Sequence, residues 1–182
     1  DWSSDVCSSD LTAPARTQVE AAVILKRELP PADARLLALV TEGRIGEALT
    51  LDVAALREWQ KECLAIVAPA TLKSISTILT LAESLAKSDR GIETLTWLSR
   101  WIRDLLLVHV GGDHDQILHL EQMDQLQEYA RTTDLPLLLD LIKEIERTQQ
   151  NATRNLNLHM ALESCLLKLR DALGLAPDGT PA

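Results

Sequence analysis

Apolar residues recur every three or four positions along most of this chain, and that spacing is what most constrains its fold. The clearest stripe runs through five residues that would share one face of an α-helix. Three more apolar residues form a second flank beside it, so we expect this helix to be covered on more than one side. The stripe is Leu72, Ile75, Leu79, Ala82 and Ala86, and the flank is Ile78, Leu81 and Leu85.

The first third of the chain is predicted to hold short helices. Pro30 ends a helix over residues 18–29, because proline disfavours the helical conformation in the residue before it. Proline is tolerated in a first helical turn, so Pro31 begins the next helix, which runs through Val40. A third helical segment is expected over residues 46–60.

The rest of the chain is predicted to be helical as well. A helix from Gly91 carries the widest apolar face, and we expect it at the centre of a bundle. Asp134 is the expected N-cap of the next long helix. Asn155 opens the last helix, and Gly174 ends it with a left-handed residue. Because no segment alternates as strands do, the sequence predicts an all-α fold. The expected inward-facing residues are Leu95, Leu98, Ile102, Leu105 and Leu106; Leu138, Leu139, Ile142 and Ile145; and Leu158, Leu162, Cys165, Leu166, Leu169 and Leu173.

The first eleven residues are not expected to belong to a natural protein. They read DWSSDVCSSDL, which resembles one reading frame of a sequencing-library adapter at every position. They also lack the apolar core of a signal peptide. We therefore expect residues 1–11 to be an artefact, and the chain to be a C-terminal fragment of a longer protein. The remainder is predicted to be a small helical piece over 12–52, a helical bundle over 53–174 and a flexible tail over 175–182.

Composition excludes several classes of protein. The 182 residues carry 18 basic and 27 acidic side chains, a net charge of −9, which disfavours direct binding of a phosphate backbone. The chain has no Phe and one Tyr, so few rings could stack on bases. No apolar run is long enough to span a membrane. Three widely spaced cysteines indicate neither a disulfide framework nor a zinc site, and they suit a reducing compartment.

Candidate catalytic and metal-binding residues are few. His114 and His119 are five positions apart and lack the spacing that places two imidazoles on one helix face. A solvated loop is therefore expected there. Cys63 and Cys165 lie in apolar stretches and are predicted to be core thiols. No phosphate-binding loop is present. We predict no catalytic residue, no metal and no cofactor within these residues.

Three segments carry a family resemblance. Ala34–Leu51 reads ARLLALVTEGRIGEALTL, residues 101–107 read WIRDLLL, and residues 155–169 read NLNLHMALESCLLKL. In this order they resemble the end of the lid subdomain and two collar helices of AAA+ clamp-loader subunits. The resemblance is to the delta-prime subunits of bacterial DNA polymerase III. Asn157 and His159 depart from the family's usual run in the last helix.

Gly46 bears on which clamp-loader subunit the chain resembles. The motor subunits gamma and tau carry a nucleotide-sensing arginine where this chain has Gly46. Arg44 is two positions earlier, roughly 200° around a helix, and is a poor substitute. The resemblance therefore implies a delta-prime subunit, a rigid member that does not hydrolyse ATP.

The resemblance implies a place in a larger assembly. Clamp-loader subunits form a ring whose C-terminal helical domains make a collar, while the ATPase domains place a sliding clamp on primed DNA. Residues 12–52 would then be the end of the AAA+ lid subdomain, and residues 53–174 the collar domain. The implied partners are delta and gamma/tau, with DNA contacted only through the complex and no membrane. The implied setting is the bacterial cytoplasm, within a DNA-directed DNA polymerase holoenzyme.

Candidate interface residues lie on the helix from Gly91 and on the last helix. Each of their apolar members could instead belong to the bundle core. Two other functions remain open, namely a fragment of a gamma/tau motor subunit and a stand-alone helical scaffold. The candidates are Trp97, Trp101, Arg103, Leu158, Leu162 and Leu169.

Overall fold

A computed structural model of the chain describes residues 14–88, 90–113, 116–151 and 157–175. Throughout these ranges the regular structure is helical and no strand occurs, which confirms the predicted all-α fold. The chain divides into two compact units, the first ending at Glu58 and the second beginning at Trp59. Residues 1–11, His114, Asn155 and most of the expected tail lie outside the described residues.

The first unit is built from α1 (Arg16–Arg27), α2 (Pro31–Thr41), α3 (Ile45–Thr50) and the start of α4 (Val53–Ile66). Glu42 and Gly43, with φ of 49° and 91°, turn the chain after α2. The core of this unit consists mainly of alanine, valine and leucine side chains. Its buried members include Val19, Val23, Ala34, Leu37, Ala38 and Ala48.

The predicted segment 46–60 is two helices rather than one. Leu51 is extended, and the Asp52 carboxylate accepts hydrogen bonds from the backbone N–H groups of Ala54 and Ala55 at 2.9 and 3.3 Å, as an N-cap does. The carbonyl groups at the end of α3 are satisfied by Arg27, whose guanidinium donates to Ala48 O and Leu51 O at 3.0 and 2.8 Å.

The described part of the second unit holds the rest of α4 and six further helices, with a short 3₁₀ turn at Leu120–Gln122. The long helix α7 packs against four others, which confirms its predicted central place. Helix α10 packs mainly between α6 and α9. The six helices are α5 (Pro69–Leu72), α6 (Ile75–Lys87), α7 (Gly91–His109), α8 (Met123–Thr132), α9 (Leu135–Asn151) and α10 (Leu158–Ala172).

Side-chain caps fix where these helices begin and end. Asp134 caps α9 by accepting from Leu137 N at 3.1 Å, as predicted. Asn157 caps the described start of α10 by accepting from Met160 N at 3.3 Å, whereas the expected start at Asn155 lies outside the described residues. Gly174 has a φ of 69° and ends α10 in the left-handed region, which confirms that prediction.

Two of the predicted apolar faces are partly wrong. On α6 the buried residues are Ile78 and Ala82, whereas Ile75 and Leu79 are 44% and 40% exposed. On α9 Leu141 is buried and Leu139 is 43% exposed. The predicted Ala82, Leu138 and Ile145 are buried, so the error on each helix concerns part of its face. The predicted faces of α7 and α10 are confirmed by the burial of Leu95, Leu98, Ile102, Leu105, Leu162, Cys165, Leu166, Leu169 and Leu173.

No helix within the described ranges combines the length and apolar character that crossing a membrane requires.

Candidate subunit interface

The motif WIRDLLL lies in the second half of α7, and its residues Trp101, Ile102, Asp104 and Leu105 are buried in the bundle. Trp101 is fully buried, and its ring meets that of Tyr129 on α8 edge to face, with centroids 5.6 Å apart. Trp97 lies one turn earlier and makes a similar contact with the His119 ring at 5.2 Å. Both tryptophans therefore help to hold the bundle together.

Asp104 is a fully buried carboxylate within the same motif. Its Oδ2 accepts three hydrogen bonds, from Leu118 N at 2.9 Å, His119 N at 2.8 Å and the His119 ring nitrogen Nδ1 at 2.7 Å. The expectation that His119 belongs to a solvated loop is wrong, since only 6% of this residue is exposed. The sequence feature that could have indicated the contact between Asp104 and His119 is the acidic Asp104 on the otherwise apolar face of α7.

The other candidate interface residues divide between interior and surface. Leu162 and Leu169 are buried on α10. Leu158 is half-buried and lies close to Gly91 at the start of α7. Arg103 is exposed, and its Nη2 donates a long hydrogen bond of 3.4 Å to Gln116 O. A role of these residues in subunit contacts stays a prediction, and Arg103 is the one whose side chain is most open to a partner.

An exposed and uncharged surface runs along the first turns of α6. No charged side chain occurs between Ile75 and Ala82, and Glu83 beyond them pairs with Lys87 at 2.6 Å. Sequence reasoning assigned Ile75 and Leu79 to the core and so missed this surface. The available signal was a helix with two apolar flanks and no charged face. We call this surface the α6 outer face, and its exposed members are Ile75, Ser76, Thr77, Leu79 and Thr80.

The two described cysteines are inert core residues, as predicted. Cys63 and Cys165 are both 1% exposed and unpaired. Burial raises the pKa of each thiol to about 12, and neighbouring carboxylates, Glu62 and Glu144 respectively, add to the effect. Neither thiol can serve as a nucleophile near neutral pH.

The described residues contain no cluster of three or more His, Cys, Asp or Glu side chains that could hold a metal ion. His114 lies outside these residues.

Gly46 lies in the first turn of α3 and is exposed. A Cβ atom built at this position would meet nothing within 4 Å. A close neighbour therefore does not impose glycine at this position.

The bundle of the second unit is matched by a known family. The family of the C-terminal domain of the DNA polymerase III delta subunit matches residues 58–171, nearly all of the described part of that unit. This is a family of clamp-loader subunits. The chain belongs to the family described as DNA polymerase III, delta subunit, C terminal. No curated protein and no solved structure matches the chain.

Proposed function

We propose that the chain is the collar-forming part of a bacterial delta-prime subunit of the DNA polymerase III clamp loader. The family match over residues 58–171 supports a clamp-loader subunit of DNA polymerase III, and the resemblance of three sequence segments supports delta-prime in particular. In this proposal residues 12–52 are the end of the AAA+ lid subdomain, residues 53–174 are the collar domain, and residues 175–182 are a tail. The chain acts in the cytoplasm by packing against delta and gamma/tau, and it contacts DNA only through the assembled complex.

Gly46 supports delta-prime over the motor subunits. The resemblance aligns Gly46 with a nucleotide-sensing arginine of gamma and tau, and a Cβ atom at Gly46 would meet nothing within 4 Å. No close neighbour therefore requires glycine instead of arginine at position 46. A gamma/tau fragment is the second candidate. The genomic sequence upstream of residue 12 tests both, since a degenerate phosphate loop followed by Ser-Arg-Cys supports delta-prime and an intact phosphate loop supports gamma/tau.

The α6 outer face is the surface we propose for collar packing. The chain as a whole has a net charge of −9, so a helix with no charged side chain from Ile75 to Ala82 is a local exception. Interface centres are depleted in charged residues, and their apolar side chains bury well against a partner helix. Arg103 and Leu158 would contact partners at the surface, whereas Trp97, Trp101, Leu162 and Leu169 would act by keeping the bundle rigid.

A binding experiment with delta and gamma from the same genome tests this function. The double variant Ile75→Asp/Leu79→Asp places charge on the α6 outer face, and we expect it to weaken assembly by about tenfold or more. Leu137→Asp on α9 is the matched control, because Leu137 is also about half exposed and lies in the same unit. Failure of the unaltered chain to bind either subunit would favour the stand-alone scaffold. Equal losses in the double variant and in Leu137→Asp would rule out the α6 outer face.

A further inference from the structure

We propose that Asp104 is a latch that holds a reversible cover closed over Trp97. The cover is the segment 116–119 in the connection between α7 and α8, which we call the strap. The inference depends on the geometry around the Asp104 carboxylate and not on the proposed function.

The strap lies outside the α-helices, so its backbone amides need partners from elsewhere. The amides of Leu118 and His119 both donate to Asp104 Oδ2, and the His119 ring adds a third bond to the same oxygen. Hydrogen bonds to an ionised acceptor are stronger than those between neutral groups. A single carboxylate oxygen therefore satisfies two successive backbone amides and one side chain of the strap.

The hydrogen bonds of Asp104 are directed at the strap and at no other part of the described bundle. Its second oxygen, Oδ1, is buried and has no hydrogen-bond partner among the described residues. The carboxylate thus does not also join α7 to α9 or α10 within those residues. Loss of its charge should weaken the attachment of the strap and leave the contacts between the helices in place.

The strap covers apolar surface when it is closed. Ile117 is fully buried, and the His119 ring lies 5.2 Å from the Trp97 ring, centroid to centroid. At the outer edge Arg103 contributes only the long bond to Gln116 O. Movement of the strap away from α7 would uncover Trp97 and Ile117 while the helices remain packed. The burial of Ile117 and the bond from Gln116 N to Asp113 O also anchor the strap, and Asp104 is the side chain that holds the successive amides of Leu118 and His119. Opening of such a non-helical segment exposes less surface than unfolding of the bundle and therefore occurs more often.

Residue-resolved hydrogen exchange of the full chain tests the latch. Asp104→Asn keeps the shape of the side chain and removes its charge. We expect the Leu118 and His119 amides to exchange about tenfold faster or more, with the α10 amides of Leu166 and Leu169 unchanged. Unchanged exchange at the strap, equal acceleration in α10, or loss of the folded bundle would each overturn the proposal.

Two further variants sharpen the test. His119→Phe keeps a ring against Trp97 and removes the hydrogen bond from the imidazole to Asp104. We expect the Leu118 amide to exchange faster than in the unaltered chain but more slowly than in Asp104→Asn. An unchanged exchange rate at Leu118 would count against the latch. Arg103→Ala is the matched control on the neighbouring position of α7. In Arg103→Ala the exchange rates of the strap amides should stay within about twofold of those in the unaltered chain. The bond of 3.4 Å from Arg103 to Gln116 O lies at an exposed site and contributes little to the attachment of the strap. A tenfold acceleration in Arg103→Ala would show that Asp104 is not the latch.

Discussion

The Tyr129 hydroxyl donates a hydrogen bond of 2.6 Å to the main-chain carbonyl oxygen of Val67, a residue 62 positions earlier in the chain. The bond is buried and ties α8 to the residue that follows α4. The Tyr129 ring also packs edge to face on Trp101 of α7. One side chain therefore links three parts of the second unit, and burial raises the pKa of its hydroxyl to about 12.

Removal of this hydroxyl should destabilise the second unit. In Tyr129→Phe the ring contact with Trp101 is kept, while the buried carbonyl of Val67 loses its partner. We expect the free energy of unfolding to fall by about 1–2 kcal/mol in urea titrations followed by circular dichroism. Ser88→Ala is the control, since the Ser88 hydroxyl bonds Leu85 O at an exposed site and its loss should matter much less. Equal effects of the two variants would contradict this account.

Two glycines offer a matched comparison of packing. A Cβ at Gly91 would lie 2.8 Å from Leu158 Cδ2 and 2.9 Å from the backbone oxygen of Leu85, so Gly91→Ala forces α6 or α10 to shift. We expect the free energy of unfolding of Gly91→Ala to be lower by about 1–3 kcal/mol. At Gly46 the position is open and helical, so Gly46→Ala should stabilise by about 0.5–1 kcal/mol. Thermal unfolding of both variants shows whether each is less or more stable than the unaltered chain. A Gly91→Ala protein as stable as the unaltered chain would show that the neighbouring helices move apart at no cost.

Glu144 should stabilise the α9–α10 pair in a pH-dependent way. Burial raises the pKa of Glu144, but hydrogen bonds from Lys168 and Ser164 outweigh it and hold the pKa below its usual value of 4.5. The carboxylate therefore contributes its full stabilisation above about pH 4.5, and this is lost as the pH falls through the folded-state pKa. At pH 7 Glu144→Gln should cost about 1 kcal/mol, at the low end for a charged hydrogen bond because Lys168 is half exposed.

The control for Glu144 lies one turn earlier on the same helix. Asp140 pairs with Lys143 at 3.0 Å, and both side chains are exposed. Asp140→Asn should have no measurable effect on unfolding at pH 7. Urea titrations at several pH values should show the difference between Glu144→Gln and the unaltered chain shrinking in acid. A difference that persists unchanged at low pH would mean that the carboxylate charge is not its source.

The buried thiols should resist modification in the folded protein. Because burial raises the pKa of Cys63 and Cys165 to about 12, little thiolate exists at pH 8. In a Cys7→Ser background, iodoacetamide should label these two positions at least about a hundredfold more slowly than in urea. Mass spectrometry of timed samples measures both rates. Labelling of either cysteine at the urea rate would show that its helix opens readily.

Periodicity predicted the faces of α7 and α10 and failed in part on α6 and α9, for a physical reason. The stripe on α7 is flanked by polar residues, so one orientation buries far more apolar surface than any other. On α6 two apolar flanks compete, and spacing alone could not show that Ile78 faces inward while Ile75 and Leu79 face outward. Only the positions of neighbouring helices decide between them.

The candidate site was less predictable than the fold. An acidic residue beside Trp101 could have suggested a buried carboxylate, but its three donors come from positions 118 and 119 on a non-helical connection. Sequence spacing does not report such contacts, because the path of that connection has no periodicity. The same limit explains why His119 was expected in solvent and is found beneath the surface.

The pairing of α6 with α10 bears on how the protein is made. About 70 residues separate the end of α6 from the start of α10, so a ribosome adding roughly 5–20 residues per second leaves α6 without its main neighbour for several seconds. During that time both sides of a helix with no charge between Ile75 and Ala82 face water. We therefore expect the apolar surface of α6 to be open to aggregation in the interval between the synthesis of these two helices.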